Sequence, residues 1–208
     1  MGYSMKDNII LVDCDGVLCD WEYSFTQYMN HRGYPTKDAS QYNVGERFGL
    51  TKTEGRKLVA EFNDSAAIAF LPPLRDAVYY MKRLNMLHGF KFHCISSLSD
   101  NKYAQRLRTQ NLNLLFGKEI WDDYIYLPCG ADKDDALLPY ANSGCFWVED
   151  KPANAKLGDS YGLQSILVAH SHNAYYDGDI PRYWKWKEIY KHIICLLYTS
   201  DAADDGLS

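Results

Sequence analysis

Short, continuous apolar runs recur along the chain and are separated by segments with helical periodicity. Strands that are buried on both faces of a parallel sheet have this pattern, because crossover helices cover both faces. We therefore predict an α/β fold with a doubly wound, parallel, five-stranded sheet, in which ligands bind beyond the carboxyl ends of the strands. The predicted strands are residues 8–13, 90–95, 124–127, 145–148 and 165–169.

Two crossover helices are predicted from the spacing of apolar residues. The first begins after Pro72 and Pro73 and ends near Gly89, since proline favours the start of a helix and glycine its end. Residues at helical spacing mark one face of each helix: Leu74, Ala77, Val78, Met81 and Leu84 in the first, and Tyr103, Leu107, Asn111 and Leu114 in the second.

The segment between the first predicted strand and the first crossover helix is too long for a simple connection. It contains helical patterns of its own at residues 21–29 and 51–62. We therefore predict a small helical cap at residues 21–70, inserted into a core made of residues 1–20 and 71–194.

The C-terminal segment, residues 195–208, is unlike the rest of the chain. Its first ten residues resemble the translation of a transposon adapter used to build sequencing libraries. Because the match covers ten consecutive residues, translation of adapter sequence carried in an assembled read explains it better than coincidence does. We therefore predict that the residues from about Cys195 onward are a non-native tail, and we infer no function from them.

Acidic residues exceed basic ones by 27 to 22, which gives a formal net charge of −5 with neutral histidines. A general attraction to nucleic-acid phosphates or to an anionic membrane is therefore disfavoured. The six cysteines are scattered without a C-x-x-C pair, so neither a zinc site nor a disulfide framework is predicted. No apolar run approaches the roughly 20 residues that span a bilayer, and we expect a cytoplasmic protein without a membrane partner.

Two aspartates directly follow the first predicted strand. Asp13 and Asp15 flank Cys14, and Gly16 then allows a sharp turn. Two carboxylates that face one pocket repel each other unless a cation lies between them or one of them is protonated. The pair therefore fits a Mg²⁺ site, an acid/base pair or a nucleophile beside an acid. A solvated, Asp-rich turn is the alternative.

Polar residues also follow the other predicted strands. Ser96 and Ser97 follow the second strand, where hydroxyl groups can hold phosphate oxygens. Lys133 follows the third strand and can supply a positive charge, and Glu149 and Asp150 follow the fourth. Because the carboxyl ends of parallel strands meet at one edge of a sheet, these side chains are predicted to share a site.

Together these residues resemble the motifs of the haloacid dehalogenase-like phosphohydrolases, and more closely those of their 5′(3′)-deoxyribonucleotidase branch. Residues 13–17 match the first motif, D-x-D-G-V/T, Ser96 matches the second and Lys133 the third, and Glu149 with Asp150 stands for the fourth. The branch more often has Thr in the second motif and Asp-Asp in the fourth. The resemblance covers residues 9–193 and implies a Rossmann-like core with a cap.

The resemblance implies roles for four carboxylate residues. Asp13 would attack phosphorus and form an aspartyl-phosphate, while Asp15 would protonate the leaving oxygen and then activate water. A Mg²⁺ ion would be held by the Asp13 carboxylate, the backbone carbonyl of Asp15 and Asp150. Glu149 would lie beside the ion or bind it through water.

The resemblance also implies a substrate-binding set. Ser96 and Lys133 would bind the non-bridging phosphate oxygens, and Ser97 is a second candidate phosphate contact. Trp21 lies where the branch places an aromatic ring against the nucleobase, and Phe70 precedes a Pro-Pro segment where other pocket residues occur. Packing between the cap and the core is the alternative role for Trp21.

Two further patterns are interpreted as structural. His170 and His172 form an H-x-H pair without other spaced ligands, which favours a structural or solvated role over a metal site. Residues 182–186 mix basic and aromatic side chains, and we interpret them as the start of the last amphipathic helix rather than as a nucleic-acid contact.

The function that best fits the sequence is a Mg²⁺-dependent phosphohydrolase of (deoxy)ribonucleoside monophosphates. The expected binding partner is this small molecule, and the sequence does not decide whether the protein forms a homodimer. One alternative keeps the chemistry but takes a nucleic-acid 3′-phosphate end or another small phosphoester as substrate. Another is a non-catalytic module that binds nucleotides, although the full set of motif residues disfavours it.

Overall fold

The structure, a computed structural model, describes residues 8–204 apart from 40 and 42, with side chains as far as residue 198. At its centre is a six-stranded parallel sheet with the strand order β3-β2-β1-β4-β5-β6. The strands are β1 (Ile9–Val12), β2 (Lys91–Ser97), β3 (Trp121–Leu127), β4 (Phe146–Glu149), β5 (Gln164–Val168) and β6 (Arg182–Tyr183). The chain therefore winds outward from β1 in both directions, which confirms the predicted doubly wound architecture.

The prediction of five strands was short by one. β6 consists of only two residues, and its pairing places Leu167 opposite Arg182 and Val168 opposite Tyr183. The last helix begins at Trp186 rather than at Arg182. A strand of two residues has no readable alternation of apolar and polar positions, so only its pairing with β5 defines it.

Eight α-helices lie in the described part of the chain. They are α1 (Trp21–His31), α2 (Val44–Phe48), α3 (Lys52–Asn63), α4 (Ala77–His88), α5 (Lys102–Phe116), α6 (Asp134–Leu137), α7 (Pro152–Ser160) and α8 (Trp186–Asp204). None of these helices combines the length and the apolar character needed to cross a bilayer.

Local capping explains where several helices begin and end. Thr51 accepts a hydrogen bond from the backbone N–H of Glu54, whose side chain in turn accepts one from the backbone of Thr51, so two orphan donors of α3 are satisfied together. α4 ends at Gly89 in the left-handed conformation, as predicted. α4 begins only at Ala77, because Arg75 has a φ of +46°, which lies outside the right-handed helical region.

Both faces of the sheet are buried, as expected for a doubly wound fold. Ile10 and Val12 of β1 belong to a large apolar cluster that includes residues of α1, α3, α4, α5 and α8. Leu11, between them, points to the other face and joins Leu137 and Trp147. The two clusters hold the strand ends in fixed relative positions.

The residues that mark α5 in the sequence do not all face the core. Tyr103 and Leu114 are exposed, whereas the buried face contains Ala104, Arg108 and Leu112, together with Asn111 and Phe116. α5 carries apolar residues on more than one face, so the spacing alone does not show which face is buried. Packing against the rest of the protein decides this.

Between β1 and α4 the chain forms the predicted helical insertion, α1 to α3. An aromatic cluster holds it together, with the Phe25 ring 5.3 Å from Phe62 and 5.8 Å from Phe48 between centroids. Asn63, at the end of α3, donates to Leu98 O just beyond β2 at 3.2 Å. The insertion is thus tied to the strand that carries the two serines. Its limits at residues 21 and 70 stay predictions.

The backbone of α8 passes through Cys195 without a break and continues to Asp204. The prediction that a non-native tail begins near Cys195 is not decided by this continuity, and it stays a prediction.

Gly158 in α7 provides a test of how tightly the helix packs on β4 and β5. An added Cβ would lie 2.5 Å from Trp147 Cδ1 and 2.8 Å from Ser165 Oγ. Overpacking a core costs about 1–3 kcal/mol, whereas alanine gains only about 1 kcal/mol over glycine in a helix. We expect Gly158→Ala to lower the free energy of unfolding in urea denaturation. Asp159→Ala, at the neighbouring exposed position, should leave it unchanged or slightly higher, and a stabilised Gly158→Ala would contradict the packing described here.

Candidate active site

The candidate site lies where β1, β2 and β4 end together. Val12 is opposite Cys94 of β2 on one side and Val148 of β4 on the other, and the next residue, Asp13, donates its backbone N–H to Val148 O at 3.0 Å. The register therefore continues with Asp13 opposite Ile95, one residue before Ser96 of β2, and opposite Glu149 at the end of β4. The carboxyl ends of these three strands, with the polar residues that they carry, thus lie side by side at one edge of the sheet.

The turn after β1 requires Gly16. Its φ is +75°, and a Cβ at this position would lie 2.5 Å from Oδ2 of Asp150. A side chain here would be strained by the backbone conformation and would also displace the carboxylate. Glycine thus allows the loop that carries Asp13 and Asp15 to lie directly against Asp150.

A buried lysine joins the ends of β1 and β4. Lys133, only 2% exposed, places its Nζ 3.1 Å from Asp13 Oδ1 and 2.7 Å from Glu149 Oε2. Burial by itself lowers the pKa of Lys133, but the two carboxylates outweigh this effect and raise the pKa above its ordinary value. Lys133 is therefore a fixed positive charge beside Asp13.

Glu149 has no oxygen left for another ligand in this arrangement. Oε1 accepts hydrogen bonds from the backbone N–H groups of Asp150 and Lys151 at 3.0 Å each, and Oε2 accepts from Lys133 and from Asn154 Nδ2. Its side chain is completely buried. Glu149 therefore serves as the buried partner that fixes Lys133 and the backbone around Asp150.

The two serines at the end of β2 differ in their surroundings. Ser96 is 1% exposed, and its hydroxyl oxygen has no hydrogen-bond partner among the described residues. Leaving a buried hydroxyl unpaired costs free energy. We therefore expect a polar ligand to form a hydrogen bond with the Ser96 hydroxyl. Ser97, in contrast, donates to Ala131 O at 3.2 Å and fixes the loop that leads to Lys133.

Asp15 has a cationic partner of its own, which the sequence analysis missed. Nη1 of Arg108, on α5, lies 2.5 Å from Asp15 Oδ1 and also contacts Cys14 Sγ. Arg108 is fully buried. The signal in the sequence was a charged residue within an otherwise amphipathic helix, but its meaning depends on which face of α5 docks.

The two aspartates have raised pKa values for a common reason. Burial raises the pKa of Asp13 to about 6, against the lowering effect of Lys133. Burial also raises the pKa of Asp15 to about 7, against the lowering effect of Arg108. Asp15 can therefore hold or release a proton near neutral pH, as an acid/base group must.

Carboxylate oxygens from Asp13, Glu149 and Asp150 lie within 4.8 Å of one another. Oxygen donors of this kind suit a hard divalent cation such as Mg²⁺. With Glu149 saturated by protein donors, Asp13 and Asp150 are the side chains available to hold the ion. The backbone carbonyl of Asp15 accepts no hydrogen bond from the described residues, so it too is free to act as a ligand.

The H-x-H pair braces this site rather than forming a metal centre of its own. His170 Nε2 lies 2.6 Å from Gly16 O, and His172 Nε2 lies 3.2 Å from Asp150 Oδ2, with the two rings stacked. Asn173 donates to Asp150 O at 2.7 Å and to Val168 O at 2.8 Å. The segment after β5 thus fixes both sides of the loop contact between Gly16 and Asp150.

The two predicted nucleobase contacts lie in different surroundings. Trp21 stacks on Phe25 with centroids 4.6 Å apart, and its Nε1 donates to Asn63 Oδ1 at 2.9 Å. Phe70 is 78% exposed. Trp21 therefore contributes to the packing of the insertion, while Phe70 presents a free ring; a role of either in substrate binding stays a prediction.

Comparisons with known proteins agree with this geometry at the level of the fold. A haloacid dehalogenase-like family hydrolase from Streptococcus pneumoniae superposes with a TM-score of 0.62 at 14% identity, over 90% of this chain and 98% of the other. CbbY from Rhodobacter sphaeroides, solved in complex with phosphate, gives 0.54 at 15% identity over 85% and 92%. The hydrolase YfnB from Bacillus subtilis, solved with bound magnesium, gives 0.54 at 12% identity over 90% and 98%. The chain therefore has the fold of the haloacid dehalogenase-like hydrolases.

Sequence comparison finds a partial match to a phage protein. An uncharacterised 32.4 kDa protein from the Gp30-rIII intergenic region of enterobacteria phage T4 is 28% identical over 114 residues, which is 51% of this chain and 40% of the phage protein. The match thus spans two fifths of the length of that relative. No family model matches the chain.

The raised pKa values of Asp13 and Asp15 lead to a prediction of how pH and Mg²⁺ affect the stability of the fold. Because the pKa values of Asp13 and Asp15 rise from 3.8 to about 6 and about 7 on folding, the metal-free protein binds protons more tightly when folded. This contribution to stability is complete below pH 4 and is lost as the pH rises through 7. A Mg²⁺ ion held by these carboxylates would need them deprotonated, so we expect added Mg²⁺ to raise Tm more at pH 8 than at pH 5.

The measurement is thermal unfolding in EDTA and in Mg²⁺ at both pH values. Asp150→Asn is the control, because it removes one available metal ligand and should reduce the response to Mg²⁺. An equal rise in Tm at pH 5 and pH 8 would show that these carboxylates do not hold the ion.

Proposed function

We propose that the protein is a Mg²⁺-dependent phosphohydrolase that acts on nucleoside monophosphates through an aspartyl-phosphate. The observation that carries this proposal is the unpaired, buried hydroxyl of Ser96 at the same strand edge as Asp13 and Lys133. A phosphate there would supply the missing partner of Ser96 and would meet the positive charge of Lys133. The shared fold of known hydrolases supports the reaction class by analogy.

The reaction would proceed in two displacements. In the first, an oxygen of Asp13 forms a bond to phosphorus while the bond to the ester oxygen breaks, and protonated Asp15 gives its proton to that oxygen. In the second, Asp15 accepts a proton from water, the water oxygen attacks phosphorus, and inorganic phosphate leaves Asp13. A bound Mg²⁺ would neutralise charge as the two anions approach.

The protein supplies three elements of this chemistry. Lys133 balances the charge of Asp13 and is itself fixed by Glu149. Ser96 offers a hydroxyl group without a competing partner. Asp15 has a pKa of about 7, close to the value at which proton donation and proton acceptance are both accessible.

The preference for a nucleotide rests on the motif resemblance and on the helical insertion. The insertion at residues 21–70, tied to Leu98 by Asn63, would cover a small substrate rather than leave an open groove for a polymer. The acidic net charge of the chain also opposes recognition of a long polyanion. These features favour a monophosphate over a nucleic-acid end.

The decisive measurement is phosphate release from deoxyribo- and ribonucleoside 5′- and 3′-monophosphates, a 3′-phosphorylated oligonucleotide and small phosphoesters, with and without Mg²⁺. We expect release from the monophosphates that depends on Mg²⁺ and falls to background in Asp13→Asn, because the amide cannot act as the nucleophile. Asp100→Asn, at an exposed aspartate, should retain full activity.

Other results of this panel have clear meanings. If phosphate were released only from the oligonucleotide or from other phosphoesters, the proposed substrate class would be wrong and the proposed phosphohydrolase reaction would stand. Nucleotide binding without release from any compound would contradict the proposal and favour a non-catalytic binding module.

The exposed ring of Phe70 offers a separate test of the nucleotide preference. Stacking a base on an aromatic side chain contributes about 1–3 kcal/mol, so we expect Phe70→Ala to raise KM for nucleotides by roughly fivefold or more. Tm should change little, because the ring is 78% exposed. Leu114→Ala, which removes an exposed apolar side chain from α5, is the control; unchanged KM in Phe70→Ala would exclude Phe70 from the substrate contact.

A further inference from the structure

The guanidinium of Arg108 is an unusual group to find inside this protein. It is completely buried, and its Nε and Nη2 have no hydrogen-bond partner among the described residues. Burying a charge with unpaired donors costs free energy that an apolar side chain at the same place would avoid. Packing alone therefore gives no reason for an arginine here.

The one ion pair of Arg108 in the described structure is with Asp15. Nη1 approaches Oδ1 to 2.5 Å, and the same nitrogen contacts Cys14 Sγ. The contact joins α5 to the loop after β1 across a long stretch of sequence. It fixes one oxygen of Asp15 to a rigid helix.

The second oxygen of Asp15 is left available. Oδ2 has no hydrogen-bond partner in the described part of the chain, and the Asp15 side chain keeps 24% of its surface exposed. A carboxyl group anchored through one oxygen presents the other in a restricted direction. That free oxygen is the atom that would exchange a proton with the leaving group and with water.

We propose that Arg108 is a positioning residue that anchors Asp15 through Oδ1, so that Oδ2 is held for both proton transfers of the reaction. The inference rests on the proposed phosphohydrolase function and adds to it a residue outside the strand-end motifs. Arg108 touches no phosphate in this scheme, because Ser96 and Lys133 bind that group.

The two displacements would respond differently when Arg108 is replaced. A nucleoside monophosphate has a poor leaving group and needs the proton from Asp15 in the first displacement. 4-Nitrophenyl phosphate releases a stable phenolate and needs little protonation, so its first displacement should stay fast. The second displacement uses Asp15 as a base for either substrate and should become slow.

The experiment compares wild type with Arg108→Met, which is similar in length but carries no charge and no donor. For nucleoside monophosphates we expect kcat to fall by roughly 100-fold with KM nearly unchanged. With 4-nitrophenyl phosphate in rapid-mixing measurements, we expect a burst of nitrophenolate approaching one equivalent per enzyme, followed by slow turnover, because the aspartyl-phosphate accumulates.

Two further variants separate positioning from folding. Arg106→Met changes an exposed arginine of the same helix and should behave as wild type. Arg108→Gln retains an N–H donor for Asp15 and should show a smaller loss of kcat than Arg108→Met; if Arg108→Met does not fold, the fall in kcat and the burst are measured in Arg108→Gln instead.

The outcomes distinguish this inference from the proposed function. If wild type hydrolyses no phosphoester in the presence of Mg²⁺, the proposed function is wrong. If wild type is active and the folded Arg108 variants differ from it only in Tm, with unchanged kcat and no burst, Arg108 is structural and the inference is overturned.

Discussion

The ion pairs of Lys133 with Asp13 and Glu149 are the interaction on which the site depends. Three carboxylates, from Asp13, Glu149 and Asp150, approach within 4.8 Å at buried strand ends, and without compensation their mutual repulsion and desolvation would oppose the fold. Lys133 offsets part of this cost between Asp13 and Glu149. The backbone N–H groups of Asp150 and Lys151, just before α7, satisfy the remaining oxygen of Glu149, so β1 and β4 can end side by side.

Asp13 and Asp15 are two residues apart in sequence yet lie in different electrostatic surroundings. Lys133 is the cation beside Asp13, whereas Arg108, on α5, is the cation beside Asp15. Burial raises both pKa values, to about 6 and about 7. The different cations beside the two carboxyl groups suit them to the different roles of nucleophile and acid/base group that the proposed reaction assigns to them.

Residues that follow β5 also fix the position of the loop after β1. Because Gly16 has no side chain, its backbone lies against Asp150, and His170, His172 and Asn173 bind both partners of this contact. A fold shared with many hydrolases does not by itself define a substrate. The site lies at a sheet edge held by these contacts, and the helical insertion, which is hydrogen-bonded to Leu98, would cover it. These two features favour a small phosphoester as the substrate.

The sequence alone determined the order of β1 to β5, the insertion after β1 and the placing of Asp13, Ser96, Lys133, Glu149 and Asp150 at one edge. Each of these depends on a local apolar run followed by polar residues beyond the strand end. Only the tertiary structure decided that β6 is a strand, that Glu149 is saturated by protein donors, and that Arg108 pairs with Asp15. Arg108 and Asp15 lie 93 positions apart in sequence. Helical spacing does not specify which face of α5 docks, and only packing against the sheet buries the arginine beside the loop.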